Sequence, residues 1–169
     1  MKKIIIIMVA VLLIPIALSM ATLANVHAAS VSGTFTGTSQ ILNTSKDASG
    51  NTVTLSEATI VYSGPLSGKS TSTEIDVTYP NGTGQIHGTE TIVGSLDGGG
   101  TGSVAGIYTG SFTATGIHQS TESLNRGNYG LQGLQAQGVW TEQIVSCNSQ
   151  GTICSLAGNY TLTSIAYQN

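Results

Sequence analysis

Glu90 is the residue in this chain whose position most invites chemistry. Between Gly84 and Gly94 the side chains alternate as they do along a strand. Ile86, Gly88, Glu90, Ile92 and Gly94 fall on one side, and Gln85, His87, Thr89, Thr91 and Val93 on the other. A carboxylate on the isoleucine side loses its hydration. An ionised carboxyl buried without a partner is costly, so such a group is neutralised, paired or functional. Desolvation pushes its pKa above the usual value of about 4.3. Glu90 can then serve as a protonated acid donating to a ligand carbonyl, or as a carboxylate accepting from a phenol. The alternative is a structural hydrogen bond to Tyr or Thr in the interior.

The turn Asp97-Gly98-Gly99-Gly100 supplies a partner. A hairpin centred near Gly99 sets Glu90 opposite Tyr108, Ile92 opposite Gly106 and Ile86 opposite Phe112, at about 5 Å between Cβ atoms. Glu90 and Tyr108 form the candidate catalytic pair on this reading. A register shift of two residues would change the pairing but not the face.

Other motifs carry less. His87 lies on the face opposite Glu90, so the two cannot hold a metal jointly on a regular strand. His118 and Glu122 share a face of a polar strand, a spacing with little metal signal. Gly100-Thr101-Gly102-Ser103-Val104-Ala105 matches G-x-G-x-x-A, but a strand follows where a dinucleotide site needs a helix. No Ser-His-Asp arrangement is recognisable. Neither a metal nor a cofactor is expected.

Cys147 and Cys154 are the only cysteines. Two thiols do not complete a tetrahedral zinc site, and their spacing differs from C-x-x-C. A disulfide pinning the loop between the last two strands is the favoured reading. Asn43, Asn81 and Asn159 begin N-x-S/T triplets, which are frequent by chance in so Ser/Thr-rich a chain; their glycosylation depends on the host.

The N-terminal segment reads as a leader. Lys2 and Lys3 precede an apolar run from Ile4 to Leu18, and Val26-His27-Ala28 offers small residues for cleavage after Ala28. A retained membrane anchor is the alternative. The expected organisation is a signal peptide helix over 1–28 and one domain over 29–169. The product would be secreted or extracytoplasmic, with no stable membrane insertion after cleavage. That domain carries Lys46, Lys69 and Arg126 against eight carboxylates. It lacks the basic surface that nucleic-acid binding requires.

Recurring Thr, Val, Ile and Tyr in alternation, with regular Gly, Pro, Asn and Asp punctuation, predict an all-β domain. Strands are expected near Gly33–Leu42, Val53–Ser63, Ser70–Tyr79, Gly84–Leu96, Gly102–Thr115, Ile117–Leu124, Val139–Ser146 and Ser155–Tyr167. Asn125 to Gly138 is expected as a long loop. Eight antiparallel strands without a covering helix must bury their apolar faces on one another. A single eight-stranded barrel is favoured, with a β-sandwich as the alternative. Leu156, Tyr160, Leu162 and Ala166 share the inner face of the last strand on this reading, as Phe35 and Ile41 do on the first.

Ser63-Gly64-Pro65-Leu66-Ser67-Gly68, Gly88-Thr89-Glu90-Thr91-Ile92-Val93-Gly94, and Gly102-Ser103-Val104 through Thr109-Gly110-Ser111-Phe112 together resemble a family known only as a domain of unknown function. Its members are similar to allene oxide cyclase, with an eight-stranded calycin-like barrel. The glycine-spaced segment Gly130 to Gly138 is similar to the end of the family pattern. The chain departs from that pattern at Gly99 and Gly100, where an Arg is expected, and at Tyr108, where a His is frequent. Only Glu90 carries over as a matching polar position.

Three functions follow. The first is a lumen that binds one small apolar or amphipathic ligand through Ile86, Glu90, Ile92, Tyr108, Phe112, Tyr160 and Leu162. The second is a structural or surface-interaction protein without a ligand, with Asn125 to Gly138 as the contact segment; Tyr129, Leu131, Leu134 and Trp140 in and beside it either form an exposed patch or, the favoured reading, pack to close one end of the barrel. The third, resting on the family resemblance, is a cofactor-independent cyclase or isomerase that uses Glu90 and Tyr108.

Overall fold

The computed structural model describes residues 25–27 and 30–168. The expected leader and its cleavage point after Ala28 lie outside the described residues, except for Asn25–His27. That segment forms a short strand, β1, paired with Ile165 to Tyr167.

Eight long strands follow: β2 (Val31–Lys46), β3 (Thr52–Ser63), β4 (Leu66–Thr78), β5 (Gly84–Leu96), β6 (Gly102–Phe112), β7 (Ile117–Tyr129), β8 (Leu134–Cys147) and β9 (Ile153–Tyr167). Each pairs antiparallel with the next, and β9 pairs back onto β2, closing an up-and-down barrel. Closure leaves no free sheet edge among these eight strands. The expected barrel is therefore the fold found, and the sandwich is not.

Burial follows the two-residue period of the strands. On β5, Ile86, Glu90 and Ile92 are buried while Gln85, His87, Thr89, Thr91 and Val93 are exposed. Outward residues at matched register include the row Thr38, Thr59, Thr71 and Thr91 across four strands. Such cross-strand neighbours suit β-branched side chains on a solvated face.

The two ends of the barrel differ. At one end lie the turns Gly64–Pro65, 97–101 and 130–133. Leu66, Leu96, Val104, Leu124, Leu131, Leu134, Leu162 and Ile165 fill the interior there as an apolar plug. The turns 47–51, 79–83, 113–116 and 148–152 form the opposite rim. Asp47 accepts hydrogen bonds from the backbone N–H groups of Ser49 and Asn51 at that rim. The disulfide Cys147–Cys154 links β8 to β9 directly below the last of these turns.

Three sequence expectations are corrected. Asn125 to Gly138 is not a long loop: β7 runs to Tyr129, β8 begins at Leu134, and a tight turn joins them. Positive φ at Arg126, Tyr129 and Gly133 lets the chain bulge and reverse within the segment, which the glycine spacing disguised as loop. On β9, Ile165 and not Ala166 points inward, because Ser164 at φ 52° shifts the alternation by one residue. The β5–β6 register is moved by two residues. Asp97 and Gly98 both take positive φ and Gly99 N–H bonds Leu96 C=O at 3.0 Å, so the turn closes earlier than Gly99. Glu90 therefore faces Gly106, and Tyr108 faces Gly88.

Candidate functional site: a carboxylate-lined lumen

Above the apolar plug the barrel encloses a cavity of about 190 Å³ that runs toward the opposite rim. Five of the chain's eight carboxylates line it: Glu74, Asp76, Glu90, Glu122 and Glu142. The register explains how they gather. Once Glu90 faces inward, its β4 partners carry the parity over, so Ser72, Glu74 and Asp76 also face the lumen. Glu142 pairs with His118 across β7 and β8, and both point inward.

The carboxylates form a deep pair and an upper trio. In the deep pair, Glu90 and Glu122 are 5% and 2% exposed. Tyr62 donates its hydroxyl proton to Glu90, with 2.9 Å to Oε1 and 3.1 Å to Oε2, and accepts from Trp140 Nε1 at 3.2 Å. Glu122 lies across Gly106, where any Cβ would strike its carboxyl group. Its Oε1 is buried without a hydrogen-bond partner. Burial pushes Glu122 well above the usual carboxylate range, and the charge of Glu90 adds to the effect. Glu90 is also raised by burial, against the hydrogen bond from Tyr62. Two interacting acids in one dry site favour holding a proton between them.

The upper trio is Glu74, Asp76 and Glu142. Burial and then the charges of Asp76 and Glu142 raise Glu74 well above its usual value. Burial lifts Asp76 to about 6 and, with the charges of Asp76 and Glu90, lifts Glu142 to about 7. His118 Nδ1 lies 3.6 Å from Glu142 Oε1, the side chains being 15% and 20% exposed. Burial lowers His118 and raises Glu142, so both move toward their neutral forms; the contact is too long for a strong hydrogen bond and is a weak ion pair at most.

The expected ligand set divides. Ile86, Glu90 and Tyr108 line the cavity, whereas Ile92 and Leu162 belong to the plug. Phe112 stacks on His118 with ring centroids 5.1 Å apart. Tyr160 is a latch: its hydroxyl accepts from Leu66 N–H at 2.8 Å and donates to Leu66 C=O at 2.9 Å. This ties the Gly64–Pro65 turn to β9. The expected Glu90–Tyr108 pair is replaced by Glu90–Tyr62, because the two-residue register shift carries Tyr108 toward the rim. There its ring lies over Gly88, and burial followed by the charge of Glu74 raises its pKa. Of the four side chains weighed as a patch or a barrel closure, Leu131, Leu134 and Trp140 are buried and only Tyr129 is exposed, at 84%, so they form no joint exposed patch.

Glu74, Asp76, Glu142 and Tyr62 escaped the sequence reading as site residues, and Trp140 enters it only as a contact or barrel-end residue. On β4 the apolar residues Ile75 and Val77 suggest the opposite inner face, yet Ile75 is 46% exposed. The signal that could have found the acids is the parity inherited from Glu90 across the Pro80-Asn81-Gly82 hairpin. Among the described residues no His, Cys, Asp or Glu side chains converge as metal ligands do.

No protein-family model matches the chain, and no curated protein matches it. The barrel is similar to the crystal structure of a Shewanella oneidensis protein of unknown function from the DUF3224 family. The TM-score is 0.62 at 19% identity, covering 83% of this chain and 98% of that one. The similarity supports the barrel fold. It carries no activity across.

Proposed function

We propose that this protein is an exported carrier or receptor barrel that binds one small amphipathic molecule in its lumen. The observation that carries the reading is the cavity of about 190 Å³ between the apolar plug and the polar rim. A barrel of eight strands has just enough interior either for its own side chains or for one small ligand. Here the side chains fill one end, and the other end keeps space. Ile86, Phe35, Tyr62 and Trp140 offer apolar and aromatic wall, and the carboxyls offer a few convergent polar groups. Export rests on the leader-like N-terminus, and the disulfide is consistent with it.

Native mass spectrometry of the folded protein tests the reading, together with Trp140 fluorescence titrated against a panel of small amphipathic molecules. Binding should be lost in Ser39→Phe, which places a ring in the cavity from β2 while leaving the strand pairing intact. A panel without any binder, and no copurified molecule, overturns it.

A second reading, a cyclase or isomerase related to allene oxide cyclase, draws support from the Glu90–Glu122 pair. Two coupled buried carboxyls can supply an acid and a base at one place. Turnover lost in Glu90→Gln at unchanged melting temperature would favour this reading; a changed melting temperature alone would make Glu90 structural.

A further inference from the structure

We propose that the lumen ligand is a small organic cation, an ammonium on an apolar body, held between the deep Glu90–Glu122 pair and the upper carboxyl trio. This rests on the ligand-binding reading above and names the chemistry of its occupant.

The lumen is one-signed. Five carboxylates face it, while Lys46, Lys69 and Arg126 are all exposed and none lines it. Among the described residues its one basic side chain, His118, sits at the upper end against Glu142. A barrel that needed only a stable interior would fill these positions with apolar groups or pair each acid with a base. Two acids are instead left with orphaned atoms. Glu122 Oε1 and Asp76 Oδ1 are buried without a hydrogen-bond partner, and both residues point into the cavity. Glu122, at 2% exposed, lines the cavity beside Gly106, with that oxygen in the space a Cβ of Gly106 would take on the inner face. An ammonium hydrogen or the positive methyls of a quaternary amine would meet it there.

The walls suit the same occupant. Tyr62, Tyr108 and Trp140 line the cavity with the acids, and aromatic faces attract cations most strongly where water is excluded. The acids are strung along the lumen from Glu122 to Glu142 rather than gathered about one point, which fits an extended organic cation better than a bare metal ion.

Binding a cation favours ionised carboxyls, so protons leave as it enters. The groups facing it are Glu74, Asp76, Glu90, Glu122 and Glu142, with His118 and the phenols of Tyr62 and Tyr108. Asp76 and Glu142 titrate at about 6 and about 7. Affinity should therefore rise as the pH is raised from about 5 to about 8.

The test uses the folded protein and two probes of one shape, phenyltrimethylammonium and the neutral tert-butylbenzene. Trp140, the single tryptophan, reports both by fluorescence. The expected result is that the cation binds, that its affinity rises about tenfold or more over the pH window, and that Glu122→Gln weakens it about tenfold or more while binding of the neutral probe is unchanged. Should Glu122→Gln fail to fold, Glu142→Gln near the rim gives the same readout. Equal or tighter binding of tert-butylbenzene, independent of pH, overturns the cationic ligand but upholds lumen binding. Binding of neither probe overturns the cationic ligand, and the amphipathic panel then decides the broader reading separately.

Discussion

Tyr62 and Glu90, on non-adjacent strands β3 and β5, are joined by a hydrogen bond of 2.9 Å inside the barrel, and Trp140 donates to the same phenol from β8. One hydroxyl thus links three strands through the lumen. It fixes the floor of the cavity and supplies Glu90 with its donor.

Tyr62→Phe should keep the ring packing and remove both hydrogen bonds. Leaving the Glu90 carboxyl and the Trp140 N–H unpaired should destabilise the fold by about 1–3 kcal/mol. Urea denaturation checks the loss. Trp140 emission in the native state should shift at the same time, because its Nε1–H has lost its acceptor.

Stability should fall as pH rises, opposite in sense to a protein held by ion-paired carboxylates. Asp76 and Glu142 have folded pKa values raised to about 6 and about 7. A raised carboxyl binds more protons folded than unfolded, so its contribution is fully present below about pH 4 and is lost as pH climbs through the folded value. Glu74, Glu90 and Glu122 are shifted the same way. His118 is lowered and acts in the opposite sense below about pH 6.5, but it is one group against five. The unfolding free energy from urea denaturation should be higher at about pH 5 than at about pH 8, by on the order of 1–2 kcal/mol for each of Asp76 and Glu142. Glu142→Gln should flatten the upper part of that slope. A midpoint that rises with pH would show that the acids are ionised at little cost.

Tyr160→Phe should cost about 1–3 kcal/mol while leaving ligand affinity unchanged, since its hydroxyl holds Leu66 and not the cavity. Paired melting curves and fluorescence titrations separate the two effects. Weakened binding at unchanged stability would restore Tyr160 to the ligand set.

Reduction of Cys147–Cys154, or a Cys147→Ser/Cys154→Ser double substitution, should lower stability by about 2 kcal/mol, the scale for a short closed loop. The barrel should persist, because strands β8 and β9 remain paired along their length. Far-ultraviolet circular dichroism with and without reductant checks both statements.

The sequence by itself determined the strand content, a barrel or sandwich as the ways to bury it with the barrel favoured, and the inward face of Glu90; the pairing of β9 with β2 decided for closure. The first three follow from local rules: two-residue alternation, turn residues at regular spacing, and the need of eight uncovered strands to bury a face on one another. The cysteine pair was legible too, from its spacing and from being too few thiols for a zinc site. Only the tertiary structure decided which side chains meet Glu90. A positive φ at Asp97 and Gly98 moved the β5–β6 register by two residues, and the phenol beside the carboxyl became Tyr62 instead of Tyr108. Ile75 and Val77 hid the inward parity of Glu74 and Asp76, because hydrophobic pattern is a poor guide on a strand whose inner face lines a polar lumen. The acidic lumen is made by five residues on four strands, distant in sequence and brought together by closure of the sheet. No short-range pattern in the chain encodes that meeting; the pairing register does.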